Sequence, residues 1–165
     1  MIDGKFTLTK NEKVDVDKHF FTEQIEYLRK KYGYEKFVGE GIEFHASGMV
    51  TFPLLGTKAD INDKVAFDPT RAKRKVLYPE VLQIFKDYTV FIGGSSSFDF
   101  SPKQYNKYDA LVDYAKRHGY EIEEVLYVGD DFGDGGGDSH VRLGGIDYVE
   151  ITDYTKLGDK LAYLL

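Results

Sequence analysis

Apolar and polar positions alternate over Lys5-Phe-Thr-Leu-Thr, the pattern of a half-buried strand. Phe20, Phe21, Ile25, Leu28 and Tyr32 then fall at helical spacing, with Asp17 placed to cap a helix from Lys18 and Gly33 placed to end it. Gly41-Ile-Glu-Phe-His and Met49-Val-Thr-Phe-Pro-Leu-Leu read as strands joined through Ala46-Ser-Gly48, which predicts a hairpin. Asp68-Pro-Thr opens a long helix, and Val76, Leu77, Val81, Leu82 and Phe85 predict one buried face along it. Thr89-Val-Phe-Ile and Ser97-Phe-Asp-Phe are expected to pair about a Gly93-Gly94 turn.

From Ser101-Pro102 the rhythm changes. A helical pattern over about 104–118 stops at Gly119 and is followed by an apolar strand, Val125–Val128. An acidic loop, a short helix, the strand Tyr148-Val-Glu-Ile and a final helix complete the chain. Strands alternating with helices predict parallel βαβ units. The expected fold class is therefore α/β: an antiparallel sheet with helices on one side, then βαβ units of a parallel sheet. A domain boundary falls near Pro102, separating residues 1–100 from 101–165.

The chain of 165 residues is long enough to bury a core without covalent staples, and 13 Tyr and 12 Phe supply aromatic bulk for it. Cysteine is absent, which excludes disulfides, thiolate zinc sites and a cysteine nucleophile. The N-terminal residues are polar and no apolar run approaches a membrane span, so a cytoplasmic location without membrane contact is expected. A net charge of −6 argues against nucleic acid as a partner. Arg71, Lys73, Arg74 and Lys75 form a basic cluster, read as a solvated helix face in preference to a phosphate-binding patch.

The densest chemistry lies in Val125-Leu-Tyr-Val-Gly-Asp-Asp-Phe-Gly-Asp-Gly-Gly-Gly-Asp138, read as a buried strand running into an acidic, glycine-rich loop. Its four aspartates, 130, 131, 134 and 138, stand at the carboxyl end of a parallel strand, where open α/β sheets bind ligands. Carboxylates so close repel one another unless a cation neutralises them, and hard oxygen ligands favour Mg²⁺ or Ca²⁺. The competing reading is a solvated acidic turn. An EF-hand does not fit, because Phe132 occupies the third ligand position and Val141 the place of the bidentate Glu. No Gly-x-x-x-x-Gly-Lys-Ser/Thr phosphate loop is present. Lys107 could balance the loop's charge and hold a phosphate oxygen, or be an ordinary surface lysine of its helix.

Lys107, Ala110-Leu111, Val128-Gly-Asp-Asp and Gly137-Asp138, together with Gly93-Gly94 and Ser97-Phe-Asp-Phe, resemble the haloacid dehalogenase (HAD) superfamily. Within it they are similar to subfamily IIB and the eukaryotic-type phosphomannomutases. That resemblance implies a substrate-specificity cap over residues 1–100 and the C-terminal half of a Rossmann-like core over 101–165. It implies Mg²⁺ as cofactor and a small phosphorylated metabolite, a sugar phosphate, as substrate. Lys107 would be the core catalytic lysine, Asp130 the Mg²⁺ ligand and Asp138 a support of the metal's water shell. Ser97, Asp99 and Lys64 would face the substrate from the cap.

The resemblance has a gap. The family's Asp-x-Asp-Gly-Thr/Ser nucleophile motif, carried after an apolar strand, is not found. Asp15-Val-Asp17 has the spacing but is followed by Lys18-His19 and reads as a helix cap. Positions expected to carry phosphate-binding arginines hold His45, Thr57 and Lys64, and Gly137 stands where an Asn is usual. The chain is thus expected to begin inside the cap, to lack turnover on its own and to bind Mg²⁺ weakly. The alternative is a non-catalytic module that binds a metal or a sugar phosphate. An incomplete core also predicts homo-oligomers that cover its open sheet edge.

Overall fold

A computed structural model describes residues 14–162, so the strand expected at Lys5-Phe-Thr-Leu-Thr lies outside the described residues. The chain folds as mixed α/β. Helix α1 (Lys18–Tyr32) starts where Asp17 accepts a hydrogen bond from the Phe20 amide and stops at Gly33, which is left-handed. A short strand β1 (Glu43–Phe44) turns back into β2 (Val50–Pro53) through the expected hairpin. Helix α2 (Ile61–Phe67), which no periodicity announces, is capped by Asp60 and buries none of its residues. Helix α3 (Ala72–Ile84) precedes the strands β3 (Tyr88–Phe91) and β4 (Ser97–Pro102). These four strands form one antiparallel sheet in the order β1-β2-β4-β3.

Period-two alternation gives this sheet two unlike faces. Val50, Phe100 and Val90 stand side by side in register, and with Phe52 and Phe98 they face the helices and are buried. Phe21, Ile25 and Leu28 of α1 and Leu77 and Val81 of α3 close this core, and Phe21 and Phe85 stack 5.0 Å apart. The neighbouring register row, Thr51, Asp99 and Phe91, falls on the opposite face.

Two expectations for α3 need correction. Val76 is 67% exposed and Leu82 41%, so the buried stripe does not include them. The stripe instead runs Arg74, Leu77, Val81 and Phe85, and Arg74 is 1% exposed. The basic cluster is therefore solvated only in part: Lys73 and Lys75 are exposed, whereas Arg71 is half-buried and Arg74 enclosed. Asp68 makes this burial possible, since it caps α3 through the Lys73 and Arg74 amides and pairs with the Arg74 guanidinium at 2.9 Å.

Helix α4 (Lys107–His118) begins at Asn106, whose side chain accepts from the Asp109 amide, and ends at left-handed Gly119. Strands β5 (Leu126–Gly129) and β6 (Asp147–Glu150) pair in parallel, with α5 (Ser139–Leu143) between them. Helix α6 (Leu157–Leu161) follows. Phe132, Val141 and Ile146 make a second, smaller core. The strand before the acidic loop was expected to be buried, but Leu126 is 37% exposed and the rest of β5 is half-covered. A two-stranded sheet has too few neighbours to enclose it. No described helix is long and apolar enough to cross a membrane.

Candidate active site

The acidic loop is organised from within by Asp138. Its side chain is wholly buried, yet every direction of approach to the carboxylate is filled by a donor. Oδ2 accepts the backbone N–H groups of Asp130 at 3.0 Å and Asp131 at 2.9 Å. Oδ1 accepts the Lys107 ammonium at 2.5 Å and the Tyr127 hydroxyl at 2.7 Å. Gly129 must lack a side chain, because a Cβ there would run into the Asp138 carboxylate and the Tyr127 ring. Burial alone would raise the Asp138 carboxyl, but Lys107, Tyr127 and the Asp131 amide outweigh it and hold it below the usual range. Likewise, burial would lower the Lys107 ammonium, and the Asp138 carboxylate more than reverses that.

Lys107 sits at the first residue of α4, so the Asn106 cap fixes where its stem leaves the helix. Lys107 and Asp131 also line a cleft of about 1000 Å³. The outer face of the antiparallel sheet forms another wall of this cleft, through Phe91, Asp99 and Ser101, and the Gly93-Gly94 turn forms its rim. Asp99 accepts the Thr51 hydroxyl at 2.8 Å, and Thr51 in turn lies 3.0 Å from His45 Nε2. A hydroxyl has one proton, so donation to Asp99 requires His45 to carry its proton on Nε2. Burial pushes the Asp99 carboxyl above the usual range despite the Thr51 bond.

The structure thus brings Lys107 and Asp99 to one cleft, with Asp138 bonded to Lys107 and to the Asp130 amide, whereas Ser97 and Lys64 are occupied elsewhere. The Ser97 hydroxyl donates to the Gly93 carbonyl and closes the turn. The Lys64 ammonium donates to the Thr57 carbonyl at 2.9 Å, and Lys64 does not line the cleft.

Among the described residues no three His, Asp or Glu side chains are grouped to hold a metal ion. Asp138 is fully engaged, Asp131 is paired with Arg71 and Asp134 lies 3.3 Å from Arg142. Asp130 remains: its carboxylate is exposed and makes no hydrogen bond. Mg²⁺ keeps most of its waters and takes one or two carboxylates beside phosphate oxygens, so a single exposed Asp next to the cleft-lining Asp131 could serve it. The donor set fits Mg²⁺ as a partial site.

Sequence reasoning missed three residues here. Tyr127 shares the Asp138 oxygen with Lys107. Arg74 donates to the carbonyls of Gly93, Gly94 and Ser97 and so holds the turn at the cleft rim. Arg71 reaches the acidic loop from the other half of the chain, with Nη1 2.7 Å from Asp131 Oδ1 and Nη2 2.8 Å from Oδ2. Only Arg74 had a signal, since it stands three residues before Leu77 on the core stripe.

Comparison with known proteins agrees with the fold. Two solved structures of IMP-nucleotidase from Plasmodium falciparum superpose on the chain. A mutant form with IMP bound gives a TM-score of 0.54 at 18% identity, covering 91% of this chain and 39% of the nucleotidase. An N-terminally truncated form with IMP bound gives 0.53 at 15% identity over the same shares. At such identities the likeness is one of fold, and the chain spans about two-fifths of the length of these relatives. No curated protein matches the sequence. A family model described as haloacid dehalogenase-like hydrolase matches residues 7–135, which is most of the chain. The chain belongs to the haloacid dehalogenase-like hydrolase family.

Proposed function

We propose that this chain carries the cap and the second half of the core of a Mg²⁺-dependent phosphatase acting on a small phosphorylated metabolite. The observation that supports it most directly is Lys107, held by Asp138 and lining a cleft that also presents Asp99, with the exposed Asp130 in the same loop. In this reading residues up to Pro102 select the substrate and residues beyond it handle the phosphate. Lys107 places a positive charge where phosphate oxygens would lie, and phosphoryl transfer depends mainly on such positioning and charge stabilisation. Asp138 keeps that ammonium charged and aimed, while Tyr127 fixes the carboxylate from its other side. Asp130 would hold Mg²⁺, which supplies Lewis-acid shielding of the phosphate when bound. Asp99 would take a substrate hydroxyl, which favours a sugar phosphate in the manner of the phosphomannomutase-like caps. A nucleoside monophosphate is the other candidate, by analogy with the nucleotidases.

No residue of the chain is assigned as nucleophile, because the sequence holds no Asp-x-Asp-Gly. The expected result is therefore binding without turnover. Calorimetric titration with Mg²⁺, followed by mannose phosphate, glucose phosphate and IMP, tests it alongside an aryl phosphate assay. Binding should vanish in Asp130→Ala for Mg²⁺ and weaken in Lys107→Ala for the phosphate ester. Mg²⁺-dependent turnover, lost in Asp130→Ala, would instead place a nucleophile within the chain. Phosphate-ester binding untouched by Lys107→Ala would remove the catalytic lysine and leave the non-catalytic module as the better reading.

A further inference from the structure

Arg71 has an unusual backbone for an arginine. Among the described residues it is the one non-glycine with positive φ, at 61°. L-residues rarely adopt that region, and they persist in it only where the surroundings hold them. The strain is not explained by capping, since the Arg71 side chain makes no cap bond and Asp68 serves the amides of the following turn. The Arg71 backbone is tied to the Asp68 carbonyl and the Lys75 amide, and its side chain makes a bidentate fork onto Asp131, an ion pair between residues sixty positions apart. Asp131 is fixed from its other side by the Gly137 amide at 2.9 Å. Nearby, the Ile92 amide donates to the Gly135 carbonyl at 2.7 Å, so the loop is docked at two points on the same half of the chain.

This arrangement sets which of the adjacent carboxylates Asp130 and Asp131 is open. Asp138 is neutralised by Lys107 and Asp131 by Arg71, so two organic cations stand where bare neighbouring carboxylates would otherwise repel. We infer that Arg71 is a positioning residue that withholds Asp131 from cations and leaves its neighbour Asp130 as the open carboxylate at the end of β5. The inference rests on the Asp130 cation site proposed above. Its consequence is a sign that a purely structural role would not produce. Freeing Asp131 adds a negative charge beside Asp130, and the affinity of such sites rises with ligand charge. Loss of a merely structural contact would loosen the loop and weaken binding.

The test is Mg²⁺ titration calorimetry on the whole chain, with circular dichroism and thermal melting as the check on folding. Arg71→Gly is the chosen variant because glycine accepts the left-handed backbone without strain, so the helix start should survive. Mg²⁺ should bind on the order of tenfold more tightly to Arg71→Gly than to the unaltered chain. Arg71→Lys, with one charge and no fork, should fall between them. The double variant Arg71→Gly/Asp131→Asn should return to the affinity of Asp131→Asn alone. Equal or weaker binding by a folded Arg71→Gly overturns the role of Arg71. Asp130→Ala separates the two readings: if it leaves Mg²⁺ binding intact, the Asp130 site fails whatever Arg71 does. Absence of Mg²⁺ binding in every variant overturns both.

Discussion

At the scale of single residues, the Asp68–Arg74 pair has the largest predicted consequence. Both side chains are enclosed, at 2% and 1% exposure, and the guanidinium also serves three carbonyls of the segment between β3 and β4. Removing one partner from such a pair leaves a buried charge uncompensated, which typically costs about 3–5 kcal/mol. Arg74→Met should therefore lose stability of that order in urea unfolding, and should also release the Gly93-Gly94 rim of the cleft. A loss below about 1 kcal/mol would show that Asp68 finds another donor or water. The same pair has a pH signature. Burial would raise the Asp68 carboxyl, but the Arg74 side chain and the Lys73 and Arg74 amides outweigh it, so its folded value lies below the ordinary one. A carboxyl depressed by folding contributes fully above its unfolded value, near 4, and the contribution drains as pH falls toward the folded value. Asp68→Asn should accordingly be less stable at neutral pH and show a flatter loss of stability below pH 4. A parallel acid limb in the two proteins would assign the acid sensitivity to other carboxylates.

Among the elements, α4 couples local chemistry to the site most directly. The Asn106 side chain accepts the Asp109 amide at 3.0 Å and donates to the Asp109 carboxylate at 2.7 Å, so the first turn is tied at both ends. Asn106→Ala should cost about 1 kcal/mol. Because Lys107 is the next residue, the variant should also speed amide exchange at Asp109 and weaken phosphate-ester binding. Thermal melting with residue-resolved exchange would show this, and an unchanged Asp109 amide would exclude a role for the cap. Helix α1 was legible in the sequence because its cap, its stop glycine and its apolar spacing are local, and α4 because its helical pattern stops at Gly119. Helix α2 was not, since seven residues with none buried leave no periodic trace. The apolar run of β5 was legible as a strand, but whether a strand is covered depends on what packs against it. The acidic loop was equally visible, and Lys107 was read as one residue able to balance its charge, but Arg71 was not. Arg71 lies sixty residues from Asp131, and basic residues in a row give no sign of which will pair.

For the whole molecule, the governing fact is the inequality of its two cores. A cluster of thirteen buried apolar side chains holds α1 and α3 to the antiparallel sheet, whereas the second cluster has three, with Ala115 and Ile151 buried outside it. Burial of apolar surface is the main favourable term in folding, at roughly 25 cal/mol per Å². The second unit therefore has far less of its own stability to draw on. It is attached to the first by the Arg71–Asp131 pair, the Ile92–Gly135 hydrogen bond and the Phe91 ring edge against His140 at 5.5 Å. The ion pair is partly exposed, and such pairs contribute little more than about 1 kcal/mol. Local opening should thus be frequent in the second unit and rare in the first. Hydrogen exchange should show the amides of β5 and β6 opening at much lower free energy than those of β2, β3 and β4, and thermal unfolding should broaden or split. If all strands instead exchanged at one global free energy, the two cores would be a single cooperative unit. The docking contacts would then contribute far more than their exposure allows.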